Sequence, residues 1–191
     1  FTDVDLKLHK KKYLGIPEQY YSRNGHEVVT PDNCAAYIVS ESKKGIVWDF
    51  WELCSGSSIL SHTAENSKLK TGFPVDFRYG WDLSHEPHRN LLLWVREQMK
   101  PKVIFTAMDC RVWSIAGRRR HDVHEARAKE LPYLKWIFRI NKLQADDGLV
   151  FINENPVSST IWTDSPLSQN SNLTGYKSKQ RCHQCQYGAL N

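Results

Sequence analysis

Short apolar runs and longer polar-apolar segments alternate along this chain. The apolar runs have the length of buried strands and cover residues 47–53, 73–77, 103–107 and 149–152. The segments between them favour helices and cover residues 59–66, 87–99 and 123–143. Pro132 is expected to kink the last helix. Strands that alternate with helices are typical of parallel βαβ units. The pattern therefore predicts an α/β fold with a doubly wound, mostly parallel sheet and helices on both faces.

The first 45 residues differ from the rest of the chain in composition and lack its regular apolar runs. They are polar and mixed, and Pro17, Gly25 and Pro31 interrupt them. We expect an N-terminal arm or extension over residues 1–45 and one main domain over residues 46–191, which suits a chain of 191 residues. Because Phe1 is not a natural initiator, the chain is expected to be a fragment of a longer protein. Separately, the main domain is expected to be truncated at its C-terminus and to lack a target-recognition domain.

Composition excludes some classes of protein. Hydrophobic residues make up 40% and aromatic residues 12% of the chain, so it can bury a core that a disordered chain lacks. No apolar run approaches the roughly 20 residues of a membrane-spanning helix, so no membrane association is expected. Five cysteines do not suggest a disulfide framework, which favours an intracellular location, nuclear in a eukaryote. The net charge of +5 permits nucleic acid as a partner without demanding it.

Small and acidic residues follow the first two predicted strands. In an α/β sheet, ligands bind beyond the carboxyl ends of the strands. The first strand runs into Cys54-Ser55-Gly56-Ser57-Ser58, a turn in which Gly56 lets the backbone approach a ligand closely. Asp76 ends the second strand, and Asp82 follows it. An acid at this position holds ribose hydroxyls in nucleotide-type sites, so the first two strand ends predict a cofactor site.

Groups suited to covalent chemistry follow the third and fourth strands. Asp109, Cys110 and Arg111 come directly after the third strand. Nearby cations favour the reactive thiolate form of a cysteine, whereas the charge of Asp109 opposes it. Glu154 ends the fourth strand, where a charged side chain is costly unless it has a partner or a task. We expect all four strand ends to form one crevice.

Three segments in this order resemble the cytosine-5 DNA methyltransferases. Residues 52–58, Glu-Leu-Cys-Ser-Gly-Ser-Ser, are similar to the Phe-x-Gly-x-Gly cofactor loop of the family. Residues 109–117, Asp-Cys-Arg-Val-Trp-Ser-Ile-Ala-Gly, are similar to its Pro-Cys-Gln-x-Phe-Ser-x-x-Gly loop, and residues 154–156, Glu-Asn-Pro, to its Glu-Asn-Val. The resemblance covers about residues 47–156. A Gln-Cys-Gln-Tyr-Gly run at 184–188 is similar to one found after methyltransferase-like segments of mobile-element polyproteins.

The resemblance implies a Rossmann-like methyltransferase fold with S-adenosylmethionine as cofactor. It implies methyl transfer to C5 of a flipped-out cytosine in nucleic acid, DNA more than RNA. The catalytic residues would be Cys110, which attacks C6 of the ring, Glu154, which bonds near its N3, and the adjacent Arg111. The cofactor-binding residues would be Cys54, Ser55, Gly56, Ser57, Asp76, Asp82 and Asp109. The nucleic-acid-binding residues would be Ser114, Arg118, Arg119 and Arg120.

The motifs depart from the family pattern in both the cofactor loop and the nucleophile loop. Asp109 replaces the proline before the nucleophile, and Arg111 replaces the glutamine after it. Cys54 replaces the aromatic residue of the cofactor loop, and Ser58 its last glycine. The chain also leaves no room for the target-recognition domain of the family. An alternative therefore stays open, a catalytically degenerate methyltransferase fold that acts as a nucleic-acid-binding or scaffolding module.

Two other readings of the sequence are weaker. Methyl transfer to an amino group would require an Asp/Asn-Pro-Pro-aromatic tetrapeptide, which residues 107–110, Ala-Met-Asp-Cys, do not match. Cys182, His183 and Cys185 have the spacing of one zinc half-site. Because a structural zinc ion needs four ligands, this half alone predicts no metal site.

Overall fold

A computed structural model describes residues 28–115, 117–119, 121–177 and 180 of the chain. The helices are α1 (Cys34–Lys43), α2 (Ile59–Asn66), α3 (Glu86–Met99), α4 (Val123–Asp146) and α5 (Ile161–Asp164). The strands are β1 (Phe50–Leu53), β2 (Val103–Ala107) and β3 (Val150–Glu154). Short 3-10 turns cover Phe77–Tyr79, Gly117–Arg119 and Pro166–Asn172. Strands and helices alternate, which confirms the predicted α/β class.

The three strands form one parallel sheet in the order β1-β2-β3. Leu53 lies opposite Thr106, and Ala107 lies opposite Glu154, so the strands end at nearly the same level. The extended segment 71–75 runs parallel to β1 on the edge away from β2. The chain therefore leaves β1 towards one side of the sheet and returns through α3 to its other side at β2.

The second predicted strand, over residues 73–77, is wrong. Segment 71–75 makes only two isolated bridges to β1, Thr71 with Phe50 and Val75 with Leu53. Four steps along the segment match three steps along β1, so one extra residue interrupts the ladder. Pro74 lies within this interval and has no N–H to donate. The sequence predicted that this segment runs parallel to β1. It could not predict the interruption, because the extra residue appears only when the segment is paired with β1.

The other elements differ from the predictions mainly at their ends. Helix α2 has the predicted bounds, and so does strand β2. Helix α4 continues to Asp146, three residues beyond the predicted end, with Pro132 in its interior. Strand β3 continues to Glu154, so the motif glutamate is the last residue of the strand.

The core is built around a cluster of aromatic side chains beneath β1. Trp51 and Leu53 alternate with Phe50 and Glu52 along β1, so these two pairs point to opposite faces of the sheet. Trp51 packs against Phe73, and the ring of Phe73 stacks on that of Trp81 with centroids 5.4 Å apart. Helix α1 adds Cys34 and Ile38 to the same core. The described part of the predicted N-terminal extension therefore packs into the main domain.

A buried arginine joins α3 to α4 behind the sheet. The Arg96 side chain is 1% exposed and forms an ion pair with Asp147, with Nη1 and Oδ2 2.8 Å apart. Its Nε donates to Oε1 of Gln144, and its Nη2 donates to the carbonyl of Leu143. A buried cation is tolerated only with such compensation. The arginine thereby fixes the end of α4, from which β3 begins.

None of the helices in the described part of the chain is both long and apolar enough to cross a membrane.

Gly72 provides a test of the aromatic core. A Cβ atom at this position would lie 2.5 Å from Cε3 of Trp48 and 2.6 Å from Cδ1 of Trp51, closer than carbon atoms pack. We expect Gly72→Ala to lower the free energy of unfolding by about 3 kcal/mol, measured by urea denaturation, because two tryptophan rings must move. Gly45→Ala is the matched control, since its Cβ would meet nothing within 4 Å and only its positive φ costs about 1 kcal/mol. Equal losses for the two variants would contradict the packing argument.

Candidate active site

The carboxyl ends of the strands bring the sequence motifs to one edge of the sheet. Leu53 precedes the turn of residues 54–58, Ala107 precedes the loop of residues 108–117, and Glu154 ends β3. The amide Nδ2 of Asn155 donates to the carbonyl of Met108, 2.8 Å away, so the β2 and β3 ends are in direct contact. The third and fourth of the predicted strand ends are therefore adjacent, and the crevice itself stays a prediction.

The turn after β1 has an unusual backbone. Cys54, Gly56 and Ser58 have φ angles of 57°, 53° and 59°, all in the left-handed region that favours glycine. Cys54 and Ser58 adopt it at a cost. The family resemblance aligns Ser58 with the last glycine of the cofactor loop, and its φ angle gives a physical reason for a glycine there.

Asp76 stabilises this turn directly. Its Oδ2 accepts from the backbone N–H of Gly56 at 2.9 Å, and its Oδ1 accepts from the N–H of Arg78 at 3.1 Å. The sequence predicted that Gly56 and Asp76 serve one ligand, and the fold brings these two residues into contact. Asp82 stabilises a different turn, the one before α3, where its Oδ1 accepts from the N–H and the hydroxyl of Ser84.

Glu52 is a residue of this site that the sequence analysis missed. It is 5% exposed, and its Oε2 accepts from the N–H of Ser61 at 2.9 Å and from the Ser61 hydroxyl at 2.6 Å. Ser61 is in the first turn of α2, where backbone N–H groups lack partners within the helix. The carboxylate therefore caps α2. The sequence did carry one signal for such a role, because Glu52 is a charged residue inside an apolar predicted strand.

Cys54 is the first residue of the turn and is half-buried. Its Sγ is 2.9 Å from the hydroxyl oxygen of Tyr133 on α4. Burial raises the pKa of Cys54 to about 12, although the hydrogen bond with Tyr133 acts in the opposite direction. The hydroxyl of Tyr79 contacts the Ser58 hydroxyl at 2.7 Å in the same way. The side chains at both ends of the turn, Cys54 and Ser58, are therefore each in contact with a tyrosine hydroxyl.

An ion pair flanks Cys110 in the loop after β2. The Asp109 carboxylate accepts from the backbone N–H of Arg111 at 2.9 Å and from its Nε at 2.6 Å, and it also pairs with Nη2. Burial raises the pKa of Asp109, but the hydrogen bonds and charge of Arg111 outweigh it, and the net pKa lies below the ordinary value. Asp109 is therefore ionised, and its charge is balanced by the neighbour on the far side of Cys110.

The remainder of this loop is closed by Ser114 and Gly117. The Ser114 hydroxyl donates to the carbonyl of Arg111 and accepts from the N–H of Gly117. A Cβ on Gly117 would lie 2.1 Å from the Arg111 carbonyl oxygen, so only glycine fits. The Ser114 side chain, predicted to contact nucleic acid, is thus engaged within the loop. The half-exposed Cys110 accepts backbone hydrogen bonds from Trp113 and Ser114 at its carbonyl.

The glutamate at the end of β3 is exposed beside this loop. Desolvation by the surrounding protein raises the pKa of the Glu154 carboxyl above its ordinary value. Asn155 is held by its bond to Met108, and its Oδ1 is buried with no hydrogen-bond partner among the described residues. The carboxyl to which the resemblance assigns the contact with the cytosine ring is therefore accessible, and its pKa is shifted upwards.

Two of the remaining predicted residues lie next to the Cys110 loop, and the others lie outside the described residues. Arg118 and Arg119 are exposed on the short turn that follows the Cys110 loop. Arg120 lies outside the described residues, as do Cys182, His183 and Cys185 of the possible zinc half-site. Within the part of the chain that the structure describes, no three His, Cys, Asp or Glu side chains are grouped as metal ligands would be.

Comparison of this chain with protein-family models, with curated proteins and with solved structures gave no match.

The cysteines of the site are expected to differ in reactivity. Burial gives both Cys34 and Cys54 a pKa of about 12, so at pH 8 only about one thiol in ten thousand is ionised at either position. Cys110 is half-exposed between an arginine and a strand end. In a protein with Cys182 and Cys185 replaced by serine, we expect iodoacetamide to modify Cys110 at least tenfold faster than the other two, measured by mass spectrometry of peptides. Modification of Cys54 at the rate of Cys110 would contradict this reading of the site.

Proposed function

We propose that this chain is a Rossmann-like, S-adenosylmethionine-dependent methyltransferase domain that acts on C5 of cytosine in nucleic acid, DNA in preference to RNA. The observation that carries the proposal is the parallel register of β1, β2 and β3. It brings the Gly56 turn, Cys110 and Glu154 to one edge in the order of the resembling motifs. An enzyme with this substrate would work inside the cell, in the nucleus of a eukaryote.

The path of the chain supports a cofactor at the end of β1. Segment 71–75 lies on one side of β1 and β2 on the other, so the direction in which strands are added reverses at β1. Doubly wound sheets bind their ligands at such a reversal. The turn of residues 54–58 emerges at this point.

The residues around the turn fit S-adenosylmethionine better than a phosphate-bearing ligand. Glu52 occupies the N-terminus of α2, and Asp76 accepts from Gly56, so two carboxylates lie where phosphate-binding turns offer free N–H groups. Carboxylates suit a ligand with a cationic sulfonium, an ammonium group and ribose hydroxyls. A Cβ on Gly56 would meet nothing within 4 Å, so the turn leaves space. Residues 54–57, Asp76 and Asp82 would hold the cofactor, which supplies an electrophilic methyl group when bound.

Cys110 performs the covalent step in this proposal. Its thiolate forms a bond to C6 of the flipped-out cytosine, and the electron pair of the C5–C6 double bond moves to C5. C5 then takes the methyl group, whose former bonding pair remains on the cofactor sulfur. A base removes the C5 proton, the double bond re-forms, and the S–C6 bond breaks to return the thiolate.

Glu154 assists this step as a proton donor. Its raised pKa extends the pH range over which the carboxyl keeps its proton, and the protonated carboxyl can donate to N3 of the cytosine ring. A hydrogen bond there draws electron density out of the ring, so that attack at C6 becomes easier. The Asp109–Arg111 pair keeps the charge next to the nucleophile close to balance.

Two observations favour the alternative of a degenerate module that binds nucleic acid or acts as a scaffold without turnover. Ser58 adds a side chain at the position of a family glycine, and its hydroxyl fills the turn against Tyr79. The guanidinium of Arg111 is paired with the Asp109 carboxylate. Arg118 and Arg119 would still offer exposed charge to a phosphate backbone.

Trapping with 5-fluorocytosine tests the proposal. Oligonucleotides with this base should form a denaturant-resistant adduct with the protein and S-adenosylmethionine, because the fluorine on C5 cannot leave as a proton does. We expect Cys110→Ser to abolish the adduct, and Glu154→Gln to slow its formation about 100-fold. Matched oligonucleotides with ordinary cytosine, and an RNA of the same sequence, serve as controls on gel electrophoresis.

Calorimetry with S-adenosylmethionine distinguishes the two functions. Cofactor binding without an adduct on any cytosine-containing DNA or RNA would reject the enzyme and favour the module. Absence of both cofactor binding and adduct would reject the methyltransferase assignment itself.

The pH dependence of trapping should carry the signature of Glu154. A raised pKa means that the folded protein retains this proton to higher pH than an ordinary carboxyl would. In Glu154→Gln the amide can donate at every pH, so this variant serves as the reference. The ratio of the parent's trapping rate to that of Glu154→Gln should be highest below the Glu154 pKa and should fall as pH rises through it, because the parent loses its proton there. A ratio that does not change with pH would exclude Glu154 as the proton donor.

A further inference from the structure

Arg127 on α4 contacts both of the loops that carry the proposed catalytic groups. Its Nε donates to the carbonyl of Val112 at 3.1 Å, two residues after Cys110. Its Nη2 donates to the hydroxyl oxygen of Thr160 at 2.9 Å, in the segment that follows β3. The guanidinium carbon also lies 4.7 Å from the centre of the Trp113 ring, a cation-π contact.

The two loops are bonded to each other at the same place. The backbone N–H of Thr160 donates to the carbonyl of Trp113 at 2.9 Å, and the Thr160 hydroxyl donates to this carbonyl at 3.1 Å. The hydroxyl oxygen that accepts from Arg127 therefore donates onward to the Cys110 loop. With the Asn155–Met108 bond, these contacts join the loops at two points on either side of Cys110.

Helix α4 holds the other side of the Trp113 ring as well. The indole Nε1 donates to Oε2 of Glu130 at 2.6 Å, and burial raises the pKa of that carboxyl. Arg127 and Glu130 lie three residues apart, on the same face of the helix. The Arg127 side chain is 19% exposed, and its Nη1 lies 3.6 Å from Oδ2 of Asp164. Its charge is therefore shared with a neighbouring carboxylate, which suits a structural contact better than a free ligand-binding cation.

Only a guanidinium has the shape for these contacts. The planar group donates through Nε and Nη2 in two fixed directions while its face covers an aromatic ring. A lysine ammonium at the same place is a compact point charge on a flexible stem, and it cannot maintain both bonds and the ring contact together. The Arg127→Lys change therefore keeps the charge and removes the geometry.

We propose that Arg127 is a positioning residue that fixes the Cys110 loop relative to the Glu154 end of β3. The inference rests on the proposed function, because cytosine-5 chemistry requires Cys110 and Glu154 to address two atoms of one ring at once. Reactive groups must be held within fractions of an ångström for such a step, and a displacement of about 1 Å costs about 100-fold in rate. Arg127 contacts neither the base nor the cofactor in this scheme and acts through Val112, Trp113 and Thr160.

The rate of trapping at saturating DNA and cofactor is the first measurement. We expect Arg127→Lys to form the 5-fluorocytosine adduct 10- to 100-fold more slowly, with Kd values for DNA and S-adenosylmethionine within about twofold of the parent. Arg139→Lys is the matched control, since Arg139 is exposed on the same helix, and it should leave the rate unchanged. An Arg127→Lys rate equal to that of the parent would overturn the positioning role while leaving the proposed function intact.

A double-mutant cycle identifies the path through which Arg127 acts. Thr160→Val removes the hydroxyl that accepts from Arg127 and donates to Trp113. If both changes break one connection, the combined variant should be slowed less than the product of the two single effects. Multiplicative effects would contradict the connection through Thr160.

Hydrogen–deuterium exchange separates the positioning role from the reaction. In Arg127→Lys, amide exchange should rise at least fivefold in residues 110–115 and 157–161 and remain unchanged in β1 and α3. This holds even if the parent protein forms no adduct, an outcome that would reject the proposed function alone. Unchanged exchange in both loops would overturn the positioning role whatever the trapping result.

Discussion

The architecture depends on β1, a strand of four residues that are all buried. It pairs with β2 along one edge and bridges segment 71–75 on the other. One of its faces supplies Trp51 and Leu53 to the aromatic core, while the other directs Glu52 towards the first turn of α2. The strand thereby organises the core, starts the helix and delivers the turn of residues 54–58 to the edge where β2 and β3 also end. Because parallel strands in register end together, the segments that carry the candidate groups emerge at the same edge of the sheet.

Helix α4 connects this edge to the rest of the domain through polar side chains along its length. Those that reach partners in other elements are Arg127, Glu130, Tyr133, Trp136, Asn141 and Gln144. They contact the Cys110 loop near the start of the helix, Cys54 and α3 near its middle, and β3 near its end. Side chains with directional hydrogen bonds set the position of a helix more specifically than apolar contacts do, because an unmatched polar group in a buried place is costly.

The charges at the carboxyl edge are each compensated within the fold. Glu52 accepts from Ser61, Asp76 from Gly56 and Arg78, and Asp109 from Arg111. Ionised carboxylates near the sheet would otherwise oppose one another and the thiolate that the proposed reaction needs. The exception is Glu154, whose pKa is raised and whose side chain is exposed at the end of β3. A carboxyl with a raised pKa among neighbours whose charges are compensated is what the proposed proton donor requires.

The sequence by itself determined the α/β class, the bounds of α2 and β2, and the grouping of the Gly56, Cys110 and Glu154 segments beyond strand ends, because hydrophobic periodicity and turn residues are local signals. It did not determine the interruption of segment 71–75, which arises from a mismatch in residue count against β1. It also missed Glu52, Tyr133 and Arg127, whose partners lie 9, 79 and 33 residues away along the chain. Only the tertiary structure decided those contacts, since a hydrogen bond between distant residues depends on where the helices pack and leaves no periodic trace in the chain.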